Sequence, residues 1–193
     1  MCPLTICYMQ VSDCEKSTLG EIQDAYEKQQ ERWLNSETCR LLIEQLRKLT
    51  PAQSANITKV VGMGLGEVGV LRKDFERSIE RALVQHSAIK TIVTALEEQN
   101  GGRRVECYAQ DPANNEMGDQ FLKIVGITPL SDPKGFLEVD ENTLVISANP
   151  NVPVRQILAD IQWPTAMLWN TVEEEKRGEW EKVMIDGRPT WKR

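Results

Sequence analysis

The chain has 193 residues, a net charge of −6, 40% hydrophobic residues and 27% charged residues. That balance excludes a disordered or fibrous chain, and the length suits one full-sized domain with accessory helices rather than two domains. The longest apolar runs are strand-sized, which excludes a transmembrane helix, and no Lys/Arg cluster exceeds Arg103-Arg104, so no direct grip on nucleic acid is expected.

The first ten residues, MCPLTICYMQ, lack a basic leader, and the polar Gln10 and Asp13 follow early, so the chain is read as intracellular and not secreted. Cys2, Cys7, Cys14, Cys39 and Cys107 form no CxxC pair, and His86 is the single histidine. Reduced thiols and no metal site are the expectation.

Leu19, Ile22, Tyr26 and Trp33 recur at helical spacing over 17–34, with Thr18 and Glu21 placed as a capping box. A second helix is predicted from Ser36 to Leu49, with Pro51 beyond its end. Ile57–Val61 reads as a short buried strand that feeds VVGMGLGEVG at 60–69. The clearest helix covers 78–99, with Ile79, Leu83, Ile89, Ile92, Val93 and Leu96 on its apolar stripe and Gly101-Gly102 closing it.

Val105, Cys107 and Ala109 alternate in a second strand that runs into Asp111-Pro112. A shorter helix follows over 115–125, stopped by Gly126. TLVISA at 143–148 is a near-continuous apolar strand, Pro153 stands where a helix over Val154–Ile161 would start, and Ala166–Trp169 is a last short strand. Beyond Glu173 the chain is strongly charged. It reads as a helix and hairpin docked on the domain edge, with Asp186-Gly187 as the turn, or as a partner-binding tail.

Strands alternating with helices, several of them apolar throughout, predict an α/β, Rossmann-like three-layer domain with a mostly parallel sheet. The expected organisation is an N-terminal helical extension at 1–56 packed on the core, an α/β domain at 57–170, and a charged tail at 171–193. These are expected to form one structural unit.

VVGMGLG at 60–66, Gln85-His86, AQDP at 109–112, GFLEVDENTLVISANPNVPVRQILADI at 135–161 and Trp163-Pro164 together resemble the Sensitivity to Red Light Reduced family, in its fungal type. The resemblance covers roughly residues 57–170. It implies a cytoplasmic and nuclear regulatory protein with protein partners, linked to circadian and light signalling, to regulation of haem biosynthesis and to cytoskeletal phenotypes. It carries no assigned reaction, so no catalytic residue transfers.

The chemistry must come from the residues themselves. Gly62-x-Gly64-x-Gly66 has the spacing of an S-adenosylmethionine loop, and Gly64-x-Gly66-x-x-Gly69 that of a dinucleotide loop. Both want an acidic residue at the end of the second strand, where Asp111 stands. Asp111 lies 45 residues beyond Gly66, against about 20 in the dinucleotide fingerprint. The other reading is a tight turn, with Asp111 capping a turn of its own.

Asn149-Pro150-Asn151 is placed at the carboxyl edge of the sheet. It resembles part of the Asn-Pro-Pro-aromatic element of amino-methyltransferases, with Asn151 and Val152 in place of its last two members; the simpler reading, which is preferred, is an Asn-capped turn before the Pro153 helix. His86 is by default a partly buried, hydrogen-bonded histidine on an apolar stripe; as the single histidine it is otherwise the candidate general base near neutrality or axial haem ligand. Cys2-Pro3 has the form of a regulatory haem-binding dipeptide. The cofactor candidates are therefore S-adenosylmethionine, a dinucleotide and haem.

Overall fold

The computed structural model describes residues 17–71, 76–148, 150–170, 181–185 and 188–192. Helix α1 (Leu19–Leu34) opens with the expected capping box: Glu21 N–H donates to the Thr18 hydroxyl, and Glu21 Oε2 accepts from Thr18 N–H at 2.7 Å. Each bond satisfies a backbone or hydroxyl group at an end that has no helical partner. Helix α2 (Glu37–Leu46) is capped by the Ser36 hydroxyl.

Pro51 does more than stop α2. With Thr50 and Gln53 as a second capping box it begins a short helix, α3 (Pro51–Asn56), in the first-turn position that proline favours. Strand β1 (Lys59–Met63) therefore lies two residues later than the sequence pattern placed it.

The remaining elements are α4 (Glu76–Gln99), β2 (Glu106–Gln110), α5 (Glu116–Ile124), β3 (Thr128–Pro129), α6 (Lys134–Glu138), β4 (Thr143–Ile146), α7 (Val154–Ile161) and β5 (Ala166–Leu168). The five strands form one all-parallel sheet in the order β3-β2-β1-β4-β5. Helices cover both faces, so the expected Rossmann-like α/β architecture is present. Two further strands, β6 (Glu181–Ile185) and β7 (Arg188–Lys192), pair antiparallel on either side of residues 186–187.

The two-residue side-chain period of a strand divides the core. Val60, Leu144 and Ile146 point to the face covered by α4 and α5, where Ile22, Tyr26 and Trp33 of α1 and Cys39 and Leu46 of α2 join the same apolar cluster. Tyr26 and Phe121 meet edge to face there, with ring centroids 5.1 Å apart. Val61, Met63 and Val145 point the other way, against Phe136 of α6 and Val154 and Leu158 of α7. The second face thus has much the lighter cover, one helix of five residues and one of eight.

At the amino end of the sheet, Lys59 Nζ sits 3.0 Å from both Glu138 and Asp140. Burial works against the Lys59 ammonium, but the bonds and charges of these two carboxylates outweigh it and hold its pKa above the ordinary value. The chain order reverses between β1 and β4, so their loops part at the opposite, carboxyl end. A ligand crevice is expected in an open α/β sheet at that place.

Among the described residues no helix is long and apolar enough to cross a membrane, and no group of three His, Cys, Asp or Glu side chains is arranged to hold a metal. Cys39 and Cys107 are free and buried. Burial pushes the Cys107 thiol up to about 12, so it stays protonated at neutral pH.

Candidate functional site

A crevice of about 740 Å³ opens at the carboxyl edge of the sheet, between the loops that leave β1 and β4. Met63, Phe136, Val154 and Ile157 form apolar walls, Gly64-Leu65-Gly66 forms one rim, and Pro150 and Asn151 form the facing rim. The volume falls in the range of sites that enclose a nucleoside-sized molecule. Gly64, Gly66 and Asp111 line it together. The structure also brings in Arg81 and Gln85 from the flank of α4, and Gln110, Asp132 and Pro133.

The four glycines of VVGMGLGEVG do different things. Gly62 is inside β1, where a Cβ would lie 2.5 Å from Leu65 Cδ1 and 3.0 Å from Ile89 Cδ1, so glycine is needed there for packing. Gly69 is packed against Asn115 and the first turn of α5, leaving no room for a side chain. Gly64 and Gly66 have positive φ of 64° and 90°, which favours glycine whatever the surroundings. A Cβ on Gly64 would meet Pro150 at 3.3 Å, so the β1 and β4 loops touch at the crevice rim.

The amides of this loop are largely taken up by the protein itself. Gly64 N–H donates to Gln110 O at 2.9 Å, and Gly66 N–H to Asp111 Oδ2 at 2.6 Å. Val68 N–H donates to Asn114 Oδ1 at 3.4 Å. Asp111 Oδ1 accepts from Ala113 N–H at 2.9 Å, closing an Asx turn. Asp111 thus stands at the carboxyl end of β2 as expected, with both oxygens engaged. One oxygen ties the glycine loop of β1 to the end of β2, and the other shapes the turn after it.

Helix α4 begins at Glu76, ten residues beyond Gly66, and what it presents to the crevice is its flank at Ser78, Arg81, Ala82 and Gln85. A phosphate cradle combines free loop amides with the helix end that directly follows them; here the Gly64, Gly66 and Val68 amides are bonded within the protein, and α4 first meets the crevice at Ser78, twelve residues beyond Gly66. The sequence spacing did not show this, because it counts glycines but not the partners of their neighbours' N–H groups.

The site also holds a pair of residues that sequence reasoning passed over. Gln110 is 4% exposed. Its Oε1 accepts from Gly135 N–H at 2.6 Å, which fixes the orientation of the amide, and its Nε2 donates to Asp132 Oδ1 at 2.8 Å. Asp132 is exposed at the crevice rim, and its other oxygen has no partner among the described residues. The only hint in the sequence is the turn signal Asp132-Pro133 after a short apolar run; the 22-residue separation from Gln110 is bridged by strand pairing.

His86 is fully buried in the middle of α4. Its Nδ1 lies 2.7 Å from Ala82 O, and a carbonyl only accepts, so Nδ1 carries the proton. Nε2 is left as a buried nitrogen with no partner among the described residues. Burial lowers its pKa below the ordinary histidine value, against smaller opposing contributions from the Ala82 carbonyl and Asp111. The ring is neutral at pH 7 and presents no surface to a ligand. Asn149 and Cys2, the other two candidates, lie outside the described residues.

No curated protein and no solved structure matches the chain. Residues 39–184, more than half of it, match the SRR1 domain, in a span that includes both crevice loops and every described element from β1 to β5. The chain belongs to the SRR1 domain family.

Proposed function

We propose that this chain is a regulatory protein that reads the level of a small molecule through the crevice between the β1 and β4 loops. The observation that supports this is the crevice itself: it lies at the switch point of the sheet, has apolar walls, and is rimmed by a few polar groups. The family resemblance supplies the process, namely light and circadian signalling and regulation of haem biosynthesis, carried out in cytoplasm and nucleus through protein partners. Haem belongs to that process rather than to His86, since an iron could reach the ring only if α4 left the core.

A second reading is an S-adenosylmethionine-dependent, methyltransferase-like enzyme. What favours it is the gathering of the glycine loop, Asp111 and the β4 exit at one edge. Both readings share the crevice, and one experiment tests the shared part.

Thermal unfolding is followed with S-adenosylmethionine, NAD(P) and haemin, in the wild type and in Ala113→Trp. Ala113 is exposed at the crevice mouth, so the indole fills the mouth without disturbing the core. A ligand at a hundred times its Kd adds about 2.7 kcal/mol of stability, a rise of roughly 5–11 °C for a chain of this size. The expected result is such a rise in the wild type and none in the variant. No rise with any compound, at millimolar concentration or micromolar for haemin, or a rise that survives the tryptophan, refutes the crevice reading.

A further inference from the structure

Resting on the crevice reading, we infer that the site takes a phosphate-free, cationic nucleoside-sized ligand, and that Asp132, held by Gln110, is the residue that selects it. Among the described residues, the titratable side chains lining the crevice are Arg81, Asp111 and Asp132: one positive charge against two negative. A polyphosphate would have to sit beside both carboxylates, facing a loop whose Gly64, Gly66 and Val68 amides are already bonded within the protein. Like charges at close range disfavour binding, and these three amides are not free to compensate.

The unsatisfied acceptors point the same way. Gln85 lines the crevice, and its Oε1, sealed from solvent, has no donor among the described residues. A buried acceptor of that kind is costly unless something donates to it. Asp132 offers its second oxygen at the rim. Both ask for N–H or cationic groups, and Phe136, Val154 and Ile157 supply an apolar wall for a flat body between them. Asp111, the acidic residue that spacing rules single out, is occupied with the glycine loop, so selection falls to Asp132 at the end of the next strand.

The probes are S-adenosylmethionine, a cationic nucleoside, and NAD and ATP, which are anionic, titrated calorimetrically into the wild type, Asp132→Asn and Gln85→Leu. Asp132→Asn retains an oxygen to accept from Gln110 Nε2 and removes only the charge, so the fold is kept and a melting temperature unchanged within about 2 °C confirms it. We expect S-adenosylmethionine to bind at least tenfold tighter than either anion. Asp132→Asn should weaken it tenfold or more, and Gln85→Leu should weaken it as well.

Anions binding as tightly as S-adenosylmethionine, or affinity unchanged in Asp132→Asn, overturns this inference while leaving the crevice a ligand site. Absence of binding by every probe overturns the crevice reading and this inference with it.

Discussion

The position of Asp111 between the glycine loop and the turn after β2 makes Asp111→Ala the most informative single substitution. It removes the acceptor of Gly66 N–H at 2.6 Å and that of Ala113 N–H at 2.9 Å. Hydrogen bonds to a charged group each contribute about 1.5–3 kcal/mol. Asp111 is half-buried and the Ala113 amide is exposed and can turn to water, so the lower end applies to the first bond and less to the second. The expected loss is about 2–3 kcal/mol, or a melting temperature lower by roughly 4–12 °C. Asp111→Asn keeps one acceptor oxygen and should lose about half as much.

Urea unfolding followed by tryptophan fluorescence gives the free energy from the midpoint at unchanged slope. If Asp111→Ala unfolds within 0.5 kcal/mol, on the order of measurement error, and yet loses ligand binding, then the carboxylate faces the ligand and the assignment of it to the loop is wrong.

Two further perturbations probe the same neighbourhood. Gly62→Ala places a methyl against Leu65 and Ile89 inside a packed core, and overpacking of this kind costs about 1–3 kcal/mol; a neutral result in the same urea assay would mean that the strand and α4 separate easily. His86 has a folded pKa below its unfolded value of about 6.5, so the unfolded chain takes up a proton that the folded one refuses. Stability therefore falls as pH drops below about 6.5, with this residue contributing up to about 1.4 kcal/mol per pH unit. His86→Phe should flatten that part of the profile between pH 6.5 and 5, and an unchanged slope would show that other groups govern acid unfolding.

What the sequence made legible follows from how local each signal is. The capping box at Thr18 and Glu21, the α7 span behind Pro153 and the apolar β4 run are set by neighbours within a few residues; the first two stand where the sequence places them, and β4 starts as expected at Thr143 but ends at Ile146, two residues short of the expected strand. Helix α3 is equally local, since Thr50-Pro51 with Gln53 is a start signal, but a proline just past an apolar helical stripe reads first as a stop for the helix before it. Strand β3 has two residues and α6 has five with no side-chain cap, too short for any period to show. The site is harder for a different reason. Gly64, Gly66 and Asp111 were correctly drawn to one edge, because a strand's carboxyl end is a local feature. Which way Asp111 turns, and that Gln110 reaches Asp132, depend on how β1, β2 and β3 lie side by side.

The division of labour between the two aspartates follows from that register. Gly62 pairs with Ala109 and Met63 with Gln110 across β1 and β2, so Asp111 emerges level with the glycine loop and bonds it. Strand β3 pairs only at Tyr108 and Ala109, so its chain leaves the sheet early and carries Asp132 past the end of β2, where the Gln110 amide meets it. A carboxylate used to hold a loop cannot be exchanged without loosening the loop, whereas one held at the rim by a neutral amide can change while the scaffold stays intact. On the crevice reading proposed above, ligand preference is therefore free to vary at position 132 and constrained at position 111, and the contrasting stabilities of Asp111→Asn and Asp132→Asn measure that difference directly.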